Sequence, residues 1–289
     1  MSETPLVQVE NLRISFPRED GTQHEAVAGV TFSAGREKLG IVGESGSGKS
    51  LSTRALMGVL PDYAHVSADR LQFRDTDLLT ASPAEKRRLR GGRMGMILQD
   101  PKFSLNPVLR VGWQVVEAIR IGNPSIGRLA ARNKAVDMLE AVHIRNPRQV
   151  FDLYPHQVSG GMGQRVMIAM MMAREPDILV ADEPTSALDV TVRNQVLSIM
   201  EEMVTRRNAG LILISHDLKL ISSFCDRVLV MYRGRIVESL PSGDLHKAQH
   251  PYTRGLIACL PSIDGPLDPL PVLQREESWA ASETHHDPR

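Results

Sequence analysis

Two cysteines, Cys225 and Cys259, are all that the 289 residues contain, and they stand far apart in the chain. That excludes a disulfide framework and every CxxC pattern of redox or zinc chemistry. Aromatic residues make up only 4%, too few for a platform on which nucleic-acid bases stack. No charge of either sign is in excess: Lys+Arg and Asp+Glu balance at 34 each. No overall field therefore draws the chain to nucleic acid or anionic lipid. Long apolar runs are missing as well. The longest, VMIAMMMA, falls far short of the ~20 residues needed to span a bilayer. The opening MSETPLVQVE has no basic region followed by an apolar core, so no secretory signal is expected. The expected setting is the cytoplasm.

With 42% hydrophobic and 24% charged residues, the chain has the composition of an ordinary globular protein. LVQVENLRISF and AVAGVTFSA alternate as strands with one polar face. KLGIVG (38–43) is a short apolar run ending in glycine, and KSLSTRALMGVL behind it has helical character. The stretch from about 61 to 92 reads as polar and turn-rich, its basic cluster EKRRLRGGR as a solvated helix end and loop. GMILQ (95–99) reads as a strand. From about 111 to 150, VGWQVVEAI and RLAARNKAVDMLEAV carry apolar residues at helical spacing. Strand character returns at DILVAD, LILIS and RVLVMYRGRIVE. Strands alternating with helices predict an α/β layer with mainly parallel strands. The helical stretch at about 105–160 is expected as an inserted subdomain of a domain covering 1–245. The extension 246–289, rich in proline, is expected to end in a partly disordered tail. His285–His286 in that tail is expected to have no metal-binding role.

GESGSGKS (43–50) matches GxxxxGK[ST] between a strand and a helix. Gly43, Gly46 and Gly48 free the backbone, including Glu44, Ser45 and Ser47, to curl its amides toward phosphate oxygens. The helix N-terminus adds partial positive charge. Lys49 is placed to neutralise β- and γ-phosphates, and the Ser50 hydroxyl to ligate Mg²⁺. ILVADEP (178–184) brings Asp182 to the C-terminal end of a buried strand, where ligands of open α/β sheets bind. Asp182 is expected to hold Mg²⁺ through water, and Glu183 to take a proton from, or orient, the attacking water. VSGGMGQR (158–165) raises a further question, because Ser159, Gly160 and Gly161 open a helix with bare amides and one hydroxyl. One nucleotide has one set of phosphates, already wrapped by the loop at 43–50. A second anion site then faces those phosphates from outside, in a sandwich with another subunit, or serves a different anion.

SGGMGQR followed by an apolar helix and DILVADEPTSALD resembles the ATP-binding-cassette ATPases. The resemblance implies a P-loop core with a mainly parallel sheet, an N-terminal antiparallel β part and an inserted helical subdomain. It implies that Ser159, Gly160, Gly161 and Met162 cap the γ-phosphate held by a partner's P-loop. Further roles follow from it: Gln99 sensing Mg²⁺ and the attacking water, Asp189 communicating across the dimer, His216 contacting the γ-phosphate, and Phe16 stacking on adenine. GESGSGKS, QDPKFSLNP, YPHQVSGGM, DEPTSALDVTVRNQ and HPYTRGL, spread over roughly 5–262, resemble the dipeptide, oligopeptide and nickel importer branch. Two departures stand out. Met162 occupies a position where glutamine is commoner. The C-terminal cysteines that accompany an iron–sulfur cluster in many of these subunits are reduced to Cys259, so that cofactor is not carried over.

The resemblance thus implies an ATP-hydrolysing subunit, using ATP and Mg²⁺, that energises an importer for peptides or a similar small solute. A nickel or metal chelate, an opine and a sugar derivative are further candidates for that solute. The implied partners are a second ATPase subunit in a heterodimer, two permease subunits and, indirectly, a periplasmic or extracellular solute-binding protein. No nucleic acid is implied, and the expected location is the cytoplasmic face of the inner membrane. The alternative is a soluble ATPase of DNA repair or translation. Repair proteins of this type insert long coiled coils or zinc modules before the signature, and the translation factors carry two P-loops. This chain has one P-loop and no sustained heptads.

Overall fold

The computed structural model describes residues 5–98, 105–186, 188–260 and 279. The chain divides into two compact units, residues 1–81 with 212–289, and residues 82–211.

In the first unit, β1 (Val7–Pro17) and β2 (Gln23–Ala34) form an antiparallel pair, with Val7 opposite Ala34 and Phe16 opposite His24. Val7, Val9, Leu12 and Ile14 are buried to 1% exposure or less. Their spacing slips by one residue at Asn11, where φ is 51° and the register shifts between Val9 and Leu12. A bulge there keeps both halves of β1 facing the same core. The polar stretch after residue 61 is not merely turns. β4 (His65–Ser67) and β5 (Arg70–Phe73) both pair with β1, and β6 (Thr76–Asp77) pairs with β5. These strands are two to four residues long, and of them only Leu71 and Phe73 are buried, which leaves little alternation to read.

The same unit holds β3 (Lys38–Val42), parallel to β10 (Arg227–Tyr232) with Val42 opposite Val230. RVLVMYRGRIVE is in fact a hairpin: β11 (Arg235–Pro241) returns antiparallel to β10. Arg233 and Gly234 turn it with φ of 44° and 79°, the two positive angles of a tight hairpin turn. The helices here are α1 (Lys49–Met57), α8 (Leu218–Phe224) and α9 (Pro251–Ala258). Gly40 lets α8 lie on β3, since a Cβ there would come within 2.3 Å of Ile221 Cγ2.

In the second unit, β7 (Met94–Ile97) runs parallel to β8 (Ile178–Asp182), all five residues of which are buried. The strand β9 (Gly210–Ile214) begins here, and its last three residues belong to the first unit. The basic cluster forms an exposed helix, α2 (Pro83–Gly92), opened by a reciprocal Ser82–Glu85 capping box. Helices α3 (Val111–Gly122), α4 (Arg128–Ala141) and α5 (Pro147–Phe151) pack around Val115, Ile119, Ala131, Ala135, Leu139 and Phe151. They fill much of the stretch expected as the helical insertion. α6 (Gly160–Met172) and α7 (Val190–Arg207) complete the unit. Met167 and Met172 are buried in α6, as a packing role for the methionine run requires. No helix among the described residues is long and apolar enough to cross a membrane. Of the tail expected to be disordered, Trp279 alone is among the described residues; His285 and His286 lie outside them.

Cys225 ends α8 in the first unit, 6% exposed. Burial, with help from the Asp226 charge, pushes its thiol up to about 12. At pH 8 an ordinary thiol is about one quarter ionised, whereas this one is essentially all protonated. Cys225 is therefore expected to resist iodoacetamide in the folded chain and to react within minutes in denaturant, as peptide mass mapping would report. Folding holds this proton more tightly, so its stabilising contribution is complete below pH 9 and is lost as pH rises toward 12.

Candidate functional site

β3 ends at Val42 and the chain enters a loop of unusual backbone before α1. Gly43, Gly46 and Gly48 have φ of 151°, 81° and 97°. These angles cost a side-chain-bearing residue dearly and glycine nothing. At Gly43 space forbids a side chain too, because a Cβ would lie 2.1 Å from the Met231 carbonyl oxygen. The loop is braced by the β10–β11 turn, where the Gly234 amide donates to the Ser47 carbonyl at 3.0 Å. Gly48 is the N-cap of α1 and offers no side chain to cap it. Lys49 and Ser50 thus form the first turn. Lys49 is 5% exposed, and its ammonium donates to the carbonyls of Gly43 and Glu44, each at 2.7 Å, and to Ser47 Oγ at 3.3 Å. A buried ammonium held on its own loop is poised to exchange toward an incoming anion. A cavity of about 520 Å³ is lined by Glu44, Ser45, Gly46 and Ser47 with Tyr232 and Arg233.

Two other sequence-predicted residues belong to this unit. His216 is exposed just beyond β9, beside β3: the Ser215 amide donates to the Ile41 carbonyl at 3.2 Å. His216 and the glycine loop therefore leave neighbouring strands at the same sheet edge. Asp217 next to it caps α8, its carboxylate accepting from the Leu220 amide at 3.0 Å. Phe16 near the end of β1 is half-buried rather than core. Its ring meets the exposed ring of Tyr63 edge-on at 6.1 Å. Sequence reading did not single out Tyr63, Tyr232 or Arg233.

In the second unit, Asp182 is the last residue of β8 and 3% exposed. Glu183 follows in the left-handed region, φ 47°, a conformation rare for a residue of this type. Its carbonyl accepts from the Ser186 amide and hydroxyl at 3.3 and 3.2 Å, closing a turn that fixes the carboxylate's origin. β7 ends at Ile97, opposite Ala181. Gln99 lies outside the described residues.

The signature residues open α6. Ser159 is the N-cap, and its hydroxyl accepts from the Met162 amide at 3.3 Å. Asp189 plays the same part for α7, accepting from the Val192 amide at 3.0 Å. Both residues have a local task as helix caps, apart from any task across a dimer. The two glycines differ. A Cβ on Gly161 would lie 2.6 Å from Val192 Cγ1, whereas one on Gly160 would meet nothing within 4 Å. Bareness at 161 is accounted for by packing of α6 on α7, and bareness at 160 is not. Gly161→Ala is expected to lower stability by about 1–3 kcal/mol through overpacking. Gly160→Ala should leave the melting curve unchanged or slightly higher. Thermal unfolding of the two variants checks this.

A family profile described as ABC transporter matches residues 28–186. The dipeptide transport ATP-binding protein DppD of Bacillus subtilis is 44% identical over 262 residues, 90% of this chain and 78% of that protein. DppD of Escherichia coli is 43% identical over 266 residues, 89% and 79%. The oligopeptide transport ATP-binding protein OppD of Mycobacterium tuberculosis is 42% identical over 263 residues, 90% of this chain. This chain spans only 43% of that longer protein. Among solved structures, cbiO1 from Clostridium perfringens, part of the ABC transporter complex cbiONQ, aligns with TM-score 0.71 and 26% identity, over 85% of this chain and 92% of that one. A dimeric ATP-binding cassette in a post-hydrolysis state aligns with TM-score 0.70 and 22% identity, over 82% and 98%, sharing the fold. On the family profile and these relatives, the chain belongs to the ABC transporter family, alongside its peptide-transport ATP-binding proteins.

Proposed function

We propose that this chain is the ATP-binding and ATP-hydrolysing subunit of an importer for peptides or a similar small solute. The observation that carries the reading is the glycine-built loop that presents Lys49 and Ser50 in the first turn of α1. Loop amides and the helix end bind the phosphates, Lys49 exchanges loop carbonyls for β- and γ-phosphate oxygens, and Phe16 packs on adenine. For the metal, Ser50 would supply its hydroxyl and Asp182 would hold the ion through water. Oxygen donors of this kind suit Mg²⁺. When bound, Mg²⁺ disperses charge on the phosphates. Glu183 takes a proton from water as the water oxygen bonds to the γ-phosphorus and the bond to the β-phosphate oxygen breaks, giving ADP and phosphate. His216 contacts the γ-phosphate, and Gln99 senses the metal and water.

In this reading Ser159, Gly160, Gly161 and Met162 cap ATP held by a second, different cassette, and Asp189 links the two sites. Two permease subunits bind the pair at the cytoplasmic face of the inner membrane, and a solute-binding protein delivers cargo to them. The relatives' own names support the peptide class. The test is ATP hydrolysis by the assembled complex in liposomes, with and without binding protein loaded with dipeptides. Stimulation by loaded binding protein, and none by DNA or ribosomes, is expected; the reverse pattern would refute the reading.

A further inference from the structure

The HPYT stretch after β11 has no part in the scheme above, yet it reaches the phosphate loop. Glu238 of β11, 4% exposed, accepts through Oε1 from the amides of Gln249 and His250 at 2.6 and 3.3 Å. His250 caps α9, its Nδ1 accepting from the Tyr252 amide at 3.2 Å, and Pro251 opens the helix. This clamp places Tyr252, fully buried, with its ring 4.4 Å from that of Tyr232; Trp279 lies 6.3 Å from it on the same cluster. The Tyr252 hydroxyl accepts from the Glu44 amide at 3.0 Å.

That amide belongs to the peptide unit whose carbonyl is Gly43 O. A trans peptide is planar, so its N–H and C=O point in opposite directions. One end of the unit is held by Tyr252, and the other accepts the Lys49 ammonium at 2.7 Å. Gly43, on one side of this plane, has no side chain to restrain it. We propose that Tyr252 is a positioning residue for ATP binding: its hydroxyl locks the Gly43–Glu44 peptide, and with it the shape of the phosphate loop, both before and after Lys49 leaves the Gly43 carbonyl for phosphate. The C-terminal helix thereby sets the resting place of the lysine. The inference rests on the ATP-binding reading above and adds α9 to the site.

Tyr252→Phe removes the hydroxyl and keeps the ring. In the full chain it should raise the Kd for a non-hydrolysable ATP analogue roughly three- to tenfold, the effect of one lost neutral hydrogen bond. In the assembled complex KM for ATP should rise while kcat changes less than about twofold, a ground-state binding effect. Hydrogen exchange without nucleotide supplies the second readout. The Glu44 amide should be protected in the wild-type chain and exchange faster in Tyr252→Phe, with α9 and β11 unchanged. An unprotected Glu44 amide in the wild type would overturn the proposal. So would unchanged affinity in Tyr252→Phe, or an affinity loss accompanied by faster exchange throughout α9. A wild-type chain that binds no analogue at all would remove the underlying ATP reading as well.

Discussion

Lys49→Ala is expected to fold and to lose ATP binding by about one to two orders of magnitude or more. A charge-assisted hydrogen bond contributes roughly 1.5–3 kcal/mol, and Lys49 supplies more than one contact. The residue is only 5% exposed and its ammonium is held at 2.7 Å by two loop carbonyls, so little ordering is needed to bring it onto phosphate. Alanine removes both the charge and the strut that ties the two ends of the loop. The helix continues unharmed, because alanine is the best helix former. Titration with a non-hydrolysable analogue, backed by thermal unfolding, measures the effect. A ligand that binds only the folded state raises the melting point, and the variant should show almost no such rise. A rise equal to that of the wild type would remove Lys49 from the site.

Glu183→Gln should separate binding from chemistry. The turn at 183 has φ 47° and is held through the main-chain carbonyl by Ser186, and glutamine keeps the side-chain shape. Analogue binding should therefore match the wild type. Hydrolysis in the assembled complex should fall by roughly 10²–10⁴, the range for loss of a general base. Wild-type turnover in this variant would exclude Glu183 from proton transfer.

What could be read from sequence was what is local. The loop at 43–50 declares itself because its glycines, lysine and serine act within eight consecutive residues, between a strand and a helix. Asp182 and Glu183 are legible because a continuous apolar strand delivers them. β4, β5 and β6 escaped, since their polar residues form strands only by pairing with β1 or with each other. The hairpin inside RVLVMYRGRIVE was hidden by an apolar run that continues across its turn. At Gly161 the pattern pointed to an incoming anion, but its missing side chain also accommodates Val192, a neighbour 31 positions away that sequence does not reveal. Tyr252 lay furthest out of reach, because its partner amide stands 208 residues earlier. Sequence marked HPYTRGL as belonging to the family without indicating what it touches.

The central claim, that ATP joins this chain to a second cassette, is tested by light scattering of the Glu183→Gln form mixed with the second cassette, with and without ATP and Mg²⁺. The chain alone is expected to remain a monomer in either condition, and the mixture to form a heterodimer only with ATP. Ser159→Arg, which under this proposal places bulk where the partner's γ-phosphate would lie, should prevent that heterodimer. A mixture that stays monomeric in saturating ATP, or a chain that forms a stable ATP-dependent homodimer alone, would contradict the account.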